Sequence, residues 1–170
     1  MRETDVLVIG CGTAGLAAAI YLARAGRRVL VLGKSTSPDE SNSRYAQGGI
    51  IYRSDDDTPA DLAADIMAAG AGMCYPPAAN LVASEGPAVV EELLIGLAGV
   101  PFTQDQNGRL HLTAEGGHHK RRILHREDST GRQIVTSLLE YAKTLPLITI
   151  ETGRMAVDLI TRDHHSLDPL

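Results

Sequence analysis

The chain has little cysteine, few aromatic residues and no long apolar run. Its 170 residues include no tryptophan, one phenylalanine and two cysteines, Cys11 and Cys74. Two cysteines do not make the disulfide framework of a small secreted domain, and such usage fits a reducing cytoplasm. The apolar stretches are too short to cross a bilayer, and Glu3 and Asp5 do not fit a secretory signal peptide. We therefore expect a cytoplasmic protein without a membrane segment.

An excess of positive charge is also missing. Sixteen lysines and arginines face 21 aspartates and glutamates, so the formal net charge is −5. This balance argues against nucleic acid or an anionic membrane as the main partner. The content of 44% hydrophobic and 22% charged residues is ordinary for a globular chain of one domain.

A glycine-rich turn follows the first apolar stretch of the chain. The unbroken run Val6–Ile9 predicts a parallel strand that is covered on both faces. A helix is predicted over roughly Ala14–Ala25, with Gly26 as a left-handed cap, and a second strand over Val29–Leu32. The turn between the first strand and the helix has the G-x-G-x-x-G pattern of dinucleotide-binding βαβ units and consists of Gly10, Cys11, Gly12, Thr13, Ala14 and Gly15.

The second strand lacks the acidic residue that usually follows it in NAD-binding units. Gly33 stands where a ribose-binding carboxylate is expected. The nearest acids, Asp39 and Glu40, lie beyond Pro38 in a loop. An ordinary NAD dehydrogenase is therefore disfavoured.

The middle of the chain predicts three helices and a hairpin. The helices begin at Pro59, which follows Asp57-Thr58, at Pro77, and at Gly86-Pro87. Asn107-Gly108 predicts a hairpin turn between residues 101–103 and 110–112. The acids of 55–57 are interpreted as a solvated cluster at a helix start. The apolar side of the third helix is predicted to consist of Val89, Val90, Leu93, Leu94 and Leu97.

The last third predicts a helix and one or two strands. The helix spans Gly131–Leu145 and stops before Pro146, and Leu147–Ile150 is a buried strand. A further strand is predicted over Ala156–Ile160. The polar tail 161–170 offers no closing element, so we expect the chain to have been cut short.

A second glycine-containing segment lies between the βαβ unit and the first mid-chain helix. Adjacent glycines let a backbone pass closely along a flat ligand and leave N–H groups free to donate to it. On composition alone, a flexible loop is an equally good interpretation. The segment consists of Asn42, Ser43, Arg44, Tyr45, Ala46, Gln47, Gly48 and Gly49.

Together, the two segments resemble the fumarate reductase/succinate dehydrogenase flavoprotein family. The resemblance implies an α/β fold, the N-terminal part of a Rossmann-like FAD-binding domain with a βαβ unit and helical and hairpin insertions. The first segment then holds the FAD pyrophosphate and the second wraps the flavin. The FAD contacts carried over are 11–14, Lys34 and 42–49.

A third segment resembles the L-aspartate oxidase branch of this family. It spans Thr113–His125 and continues in Asp128–Arg132. In the succinate- and fumarate-converting relatives, the position of Glu115 is usually apolar. A carboxylate suits the α-ammonium group that distinguishes aspartate from succinate, so Glu115 is predicted to orient the substrate. A solvated loop glutamate is the alternative interpretation.

The neighbouring histidines and arginines are ambiguous. Adjacent histidines such as His118-His119 seldom bind one metal ion, and no metal site is predicted. Arg121 and Arg122 either balance flavin or substrate charge or face water. The resemblance places His125 near the cofactor.

The activity that the resemblance implies is FAD-dependent oxidation of L-aspartate to iminoaspartate, with fumarate or oxygen as acceptor. Quinolinate synthase, which uses iminoaspartate in NAD biosynthesis, is then a functional partner. The family's capping domain, C-terminal helical domain and catalytic arginine lie downstream, so residues 1–170 are predicted to form a partial FAD-binding domain that is inactive alone. The alternatives are a fragment of a succinate dehydrogenase/fumarate reductase flavoprotein and a non-catalytic nucleotide-binding module.

Overall fold

The computed structural model describes residues 3–158 and 160, and these begin with a βαβ unit. Strand β1 spans Val6–Ile9, helix α1 spans Thr13–Arg24, and strand β2 spans Val29–Leu32. The two strands are parallel, and Val6 pairs with Val29. Gly26 has a φ of +80°, the left-handed conformation of a helix cap. The predicted βαβ unit is therefore confirmed.

The βαβ unit belongs to a three-stranded parallel sheet of order β1-β2-β6. Strand β6 spans Ile148–Glu151 and pairs with β2. Buried side chains of α1 and of β2 pack together on one face of this sheet, and partly buried side chains of β1 and β6 pack against them. Only short apolar strands and one amphipathic helix are needed to form this layer.

One face of β1 is open, which differs from the prediction of a strand covered on both faces. Leu7 is 44% exposed and Ile9 is 59% exposed. Side chains alternate between the two faces of a strand, and α1 packs on the face to which Val8 contributes. Among the described residues, no element covers the opposite face of β1. The unbroken apolar run was therefore not a sign of burial on both faces.

Two helices follow the second glycine-containing segment. Helix α2 spans Pro59–Ala69, and its first turn is capped by Thr58, whose Oγ1 accepts from the N–H of Asp61 at 3.2 Å. Helix α3 spans Pro76–Val89 and runs directly into a π-helical segment over Val90–Leu97. The predicted start of the first of these helices is confirmed.

The predicted break at Gly86-Pro87 is wrong, because the helix continues through it. A proline inside a helix removes one backbone donor and crowds the preceding turn. Gly86 carries no Cβ that would add to this crowding, and the chain passes into wider π-helical turns directly afterwards. Burial of the apolar stripe then holds the segment in place, since Val90, Leu93 and Leu94 lie in the main core.

A small antiparallel sheet forms the second layer. Its strands are β3 (Ile50–Ile51), β4 (Leu112–Thr113) and β5 (Ile123–Leu124), with β5 in the centre. The predicted turn at Asn107-Gly108 is present, with Gly108 at φ +76°. Its arms differ from the prediction: they share one bridge, Gln104 with Leu110, and β4 pairs with β5 instead.

Helix α4 spans Thr130–Thr144 and completes the main core. That core gathers buried side chains from α1, the π-helical segment, β5 and α4.

The predicted strand over Ala156–Ile160 is not observed in residues 156–158 and 160, where Val157 and Ile160 are exposed. The predicted tail 161–170 lies outside the described residues. Within 3–158 and 160, every helix is too short or too polar to cross a membrane.

Candidate functional site

The glycine turn lies at the carboxyl end of β1 and is tightly constrained. Gly10 adopts φ +111°, and its N–H donates to the carbonyl of Leu32 at 2.8 Å. A Cβ added at Gly15 would lie 2.1 Å from the Gly10 carbonyl oxygen, so a side chain there has no room. The predicted roles of these two glycines, a tight exit turn and close packing of helix on strand, agree with this geometry.

The second segment meets the N-terminus of α1. The N–H of Thr13 donates to Oγ of Ser43 at 3.2 Å. A Cβ added at Gly12 would lie 3.2 Å from the same oxygen. Two segments predicted from separate parts of the sequence are therefore in direct contact at one helix N-terminus.

A cavity of about 570 Å³ opens where β1 and β2 end. Residues predicted to contact a cofactor that line it are Gly10, Cys11, Gly12, Lys34, Asn42 and Ser43. Residues that sequence analysis did not select also line it, namely Ser35, Ser37, Glu40, Ser41 and Arg154. Ser35 and Ser41 are each adjacent in sequence to a residue that was selected, Lys34 and Asn42, and this adjacency is the signal that could have identified them.

Two features of the lining suit a polar, anionic ligand such as a dinucleotide. The Ser41 Oγ is buried and has no hydrogen-bond partner among the described residues, so a polar ligand could satisfy it. Lys34 and Arg154 supply positive charge to the lining. Backbone N–H groups at the start of α1, together with the helix dipole, favour an anion such as a pyrophosphate.

Gly33, which stands in place of the ribose-binding acid, packs closely against Cys11. A Cβ at Gly33 would lie 2.8 Å from Sγ of Cys11, so a larger residue there would require the thiol to move. Burial raises the pKa of the Cys11 thiol, which keeps it a neutral packing group. Cys11 and Cys74 are both free.

The remaining residues of the second segment are held by protein contacts. Residues Asn42–Tyr45 form a 3₁₀ turn, in which Arg44 pairs with Asp39 and the Tyr45 hydroxyl donates to Glu40 at 2.8 Å. Seven residues predicted to contact the cofactor do not line this cavity. They also do not line a second, smaller cavity, which adjoins Glu115. These residues are Thr13, Ala14, Gly15, Arg44, Tyr45, Ala46 and Gly49.

Helix α4 and strand β5 clamp the end of the second segment. The N–H of Gly131 donates to the carbonyl of Ala46 at 3.0 Å, and a Cβ at Gly131 would lie 2.1 Å from the Ser43 carbonyl oxygen. A Cβ at Gly49 would lie 2.1 Å from Cγ2 of Ile123. Sequence analysis missed the packing role of Gly131, although its place in the Asp128–Arg132 motif marked it.

The Glu115 side chain contacts the two glycines at the end of the second segment. Its Oε1 accepts from the N–H of Gly49 at 3.0 Å. A Cβ at Gly48 would lie 3.3 Å from both carboxylate oxygens, so the two groups are in close contact. A cavity of about 350 Å³ adjoins this contact and is lined by Gln47, Gly48, Thr113, Glu115, His125, Glu127 and Asp128.

His125 lines the same cavity, and its ring contacts His111. Its Nε2 is 2.9 Å from Nδ1 of His111, and the rings meet edge to face. One histidine of this pair therefore donates to the other. With three carboxylates in the lining, the cavity favours a group that carries positive charge.

Arg122 takes neither of the two roles considered for it. It is fully buried, and its Nε and Nη2 donate to the two carboxylate oxygens of Asp57 at 2.6 and 2.7 Å. The side chain of Asp57 is 4% exposed, whereas the sequence predicted a solvated cluster. Asp56 remains exposed and pairs with Lys120 at 2.8 Å. The Asp57 side chain is shielded from water because residues 118–122 fold back onto the start of α2.

Asp65 of α2 completes this buried group, and sequence analysis did not single it out. It pairs with Arg122 and accepts from the N–H of His119 at 3.0 Å. Burial opposes ionisation of Asp65, but the donors from His119 and Arg122 outweigh it and hold the pKa of the carboxyl well below its usual range. Among residues 3–158 and 160, no three His, Cys, Asp or Glu side chains converge as metal ligands.

A parallel sheet, a glycine turn into a helix N-terminus and a cavity at the carboxyl ends of the strands define a dinucleotide-binding α/β fold. The sequence profile of the FAD binding domain family matches residues 5–166. The chain belongs to this family, and its cofactor is FAD.

Curated relatives narrow the comparison. The chain is 44% identical over 160 residues to L-aspartate oxidase 1 of Ralstonia nicotianae, covering 92% of the chain and 29% of the relative. It is 41% identical over 168 residues to L-aspartate oxidase of Vibrio cholerae, covering 95% and 31%. The chain thus spans about a third or less of the length of these relatives.

Solved structures share the fold. Sdh1 of Mycobacterium smegmatis is similar with a TM-score of 0.77 and 28% identity, covering 89% of the chain and 28% of that structure. Quinol fumarate reductase FrdA of E. coli has a TM-score of 0.82 at 24% identity, covering 89% and 26%. The latter likeness concerns the fold alone.

Proposed function

We propose that this chain forms the FAD-binding part of an L-aspartate oxidase. The observation that carries the proposal is the contact of the Glu115 carboxylate with the Gly49 N–H, beside a cavity that also contains His125. A carboxylate in this place offers an ion pair to an α-ammonium group, which aspartate has and succinate lacks. The identity to curated L-aspartate oxidases supports the same choice.

The proposed site residues divide by location. The cavity at the ends of β1 and β2 would hold the dinucleotide of FAD through Gly10, Cys11, Gly12, Lys34, Asn42 and Ser43. Gln47 and Gly48 would then face the flavin side, next to Glu115. Thr13, Ala14, Gly15, Arg44, Tyr45, Ala46 and Gly49 would shape the backbone of the two segments.

The reaction is a two-electron oxidation: the α-ammonium group of L-aspartate first gives up a proton, and the neutral amine then loses a hydride from its α-carbon and a second proton from nitrogen, giving iminoaspartate. Bound FAD supplies the hydride acceptor, and fumarate or oxygen finally takes the electrons. Glu115 would orient the amine and offset its charge. Because the chain spans 29% of the length of L-aspartate oxidase 1 of Ralstonia nicotianae, we propose this activity for a protein that carries these residues together with the remaining length.

We also propose a cytoplasmic location and a functional link to quinolinate synthase. Two free cysteines support a reducing compartment. The link rests on the family resemblance, since iminoaspartate is the compound that quinolinate synthase uses in NAD biosynthesis.

Substitution Glu115→Gln in the longer, flavin-loaded protein tests the proposal. It removes the negative charge but keeps the size of the side chain. We expect kcat/KM for L-aspartate to fall about 10- to 100-fold, the value of one charge-assisted hydrogen bond of ~1.5–3 kcal/mol. Fumarate reduction should change far less, because fumarate has no ammonium group.

The matched control is Glu85→Gln, an exposed glutamate on α3 outside both cavities. It should leave both activities unchanged. Equal losses of aspartate oxidation and fumarate reduction in Glu115→Gln would contradict the assigned role. Faster turnover of succinate than of L-aspartate by the unsubstituted protein would favour the succinate dehydrogenase alternative instead.

A further inference from the structure

A charged cluster with a buried centre lies next to the loop that carries Glu115. The Arg122 cluster consists of Asp57, Asp65, His118, His119 and Arg122. Arg122 is fully buried and Asp65 is 2% exposed. The guanidinium grips Asp57 with two donors, at 2.6 and 2.7 Å, and turns its third nitrogen to Asp65.

The cluster joins α2 to the end of the loop. The N–H of His119 donates to Oδ2 of Asp65 at 3.0 Å, and its ring contacts the other carboxylate oxygen. Nδ1 of His118 lies 3.1 Å from Nη1 of Arg122. Since a guanidinium only donates, this histidine nitrogen accepts. His119 and Arg122 are thus tied to Asp65 of α2, and His118 is tied to Arg122.

The other end of the loop presents Glu115 to the second segment. The N–H of His118 donates to the carbonyl of Glu115 at 3.1 Å, which closes a turn, and Gly117 adopts φ +86° within it. Glu115 is exposed, so apolar packing does not hold its side chain. The turn thus links Glu115 directly to His118, which belongs to the Arg122 cluster.

Stability alone is a weak reason for such a cluster. Burying charges costs several kcal/mol per ion, and apolar residues of similar volume often serve as well or better. A bidentate guanidinium and a carboxylate with several donors do, however, fix geometry in a way that apolar contacts cannot. The arrangement therefore favours a role in positioning.

We propose that Asp65 and Arg122 are positioning residues that hold the 115–119 turn so that the Glu115 carboxylate reaches the Gly49 N–H. The effect on substrate choice rests on the function proposed above. The geometric part concerns only residues of this chain and is tested without substrate.

The geometric test uses NMR of the 170-residue chain and follows the Gly49 amide. Glu115→Gln supplies the amide shift of a Gly49 that has lost its carboxylate partner. In Asp65→Asn, we expect the Gly49 signal to move towards that reference value and its hydrogen exchange to speed up. Arg121→Met, which changes an exposed neighbouring arginine, is the matched control and should leave the signal in place.

A second variant covers the case in which Asp65→Asn does not fold. His119→Gln removes only the ring contact of a side chain that is 83% exposed, so the fold should persist. The Gly49 signal should then move in the same direction by a smaller amount. An unmoved Gly49 amide in every folded variant of Asp65 and His119 would overturn the proposal.

The functional test measures KM for the Asp65→Asn variant of the longer, flavin-loaded protein. A displaced Glu115 should raise KM for L-aspartate about 10- to 100-fold, as expected when a positioning contact is lost, with a smaller change in KM for fumarate. A purely structural role would lower the fraction of active, flavin-loaded protein and leave KM unchanged. If Glu115→Gln itself leaves aspartate oxidation intact, the proposed function fails while the Gly49 measurement still decides the positioning role.

Discussion

At three glycines an added Cβ would lie 2.4 Å or less from a backbone oxygen. At Gly15 the obstacle is the carbonyl of Gly10, at Gly131 the carbonyl of Ser43, and at Gly49 the carbonyl of Leu124. The first was predictable, because the dinucleotide turn has a known spacing. The other two were not, since their neighbours come from distant parts of the chain that the sequence alone does not bring together.

Substitution Gly15→Ala should destabilise the chain. An alanine usually stabilises a helix relative to glycine by ~1 kcal/mol, but here its methyl would lie 2.1 Å from a backbone oxygen. We expect the free energy of unfolding to fall by about 3 kcal/mol or more, at or above the upper end of common overpacking costs. Urea unfolding followed by circular dichroism measures it.

The control for this substitution is Gly116→Ala. An added Cβ there meets nothing within 4 Å. Its unfolding curve should stay within about 0.5 kcal/mol of the parent, as is usual for surface changes. Gly15→Ala with unchanged or increased stability would show that the helix can shift away from the turn.

At the scale of elements, local patterns predicted starts better than continuations. The start of α2 at Pro59 was predictable from Thr58 and the proline, since both act within one turn. The passage of α3 through Pro87 was not, because burial of Leu93 and Leu94 in the main core overrides the local cost. The single bridge of the hairpin has the same kind of cause, since β4 pairs with β5 instead.

Removing the cap of α2 tests how much its start contributes. Thr58→Ala eliminates the oxygen that accepts from the Asp61 N–H at 3.2 Å. The free energy of unfolding should fall by ~1 kcal/mol, a typical cost of losing such a cap. Thr58→Ser keeps an oxygen in place and should retain most of the stability. Equal losses in the two variants would assign the effect to the methyl group.

At the scale of the whole molecule, the long-range ion pairs were the least predictable feature. The sequence shows acids near α2 and a basic run at 118–122, but either set could have faced water. Only the antiparallel pairing of β5 with β3 brings Arg122 back to Asp57 and Asp65. The parallel order of β1 and β2, by contrast, follows from the helix that joins them.

Acid should weaken the folded state partly through Asp65. Its pKa lies below the ordinary value of 3.8 in the folded chain, so the unfolded chain binds a proton at a higher pH than the folded one. The resulting stability is present above the unfolded pKa and is lost as pH falls through the lower folded pKa. We expect the free energy of unfolding to drop between about pH 4 and 2.

His119→Gln should reduce that drop, because it removes one contact that lowers the pKa of Asp65. Urea titrations at pH 7, 4, 3 and 2 compare it with the parent chain and with His125→Gln, which changes a histidine in the other cavity. Parallel curves for all three chains across the acidic range would contradict the role given to His119.

The open face of β1 has a consequence for handling the chain. β1 is the outer strand of its sheet, one of its edges has no partner among the described residues, and Leu7 and Ile9 are exposed beside that edge. An exposed apolar strand edge is a template on which another extended segment can add. Self-association of the expressed chain should therefore grow with concentration, and a charged residue at Leu7 would be the first change to try for keeping it monomeric.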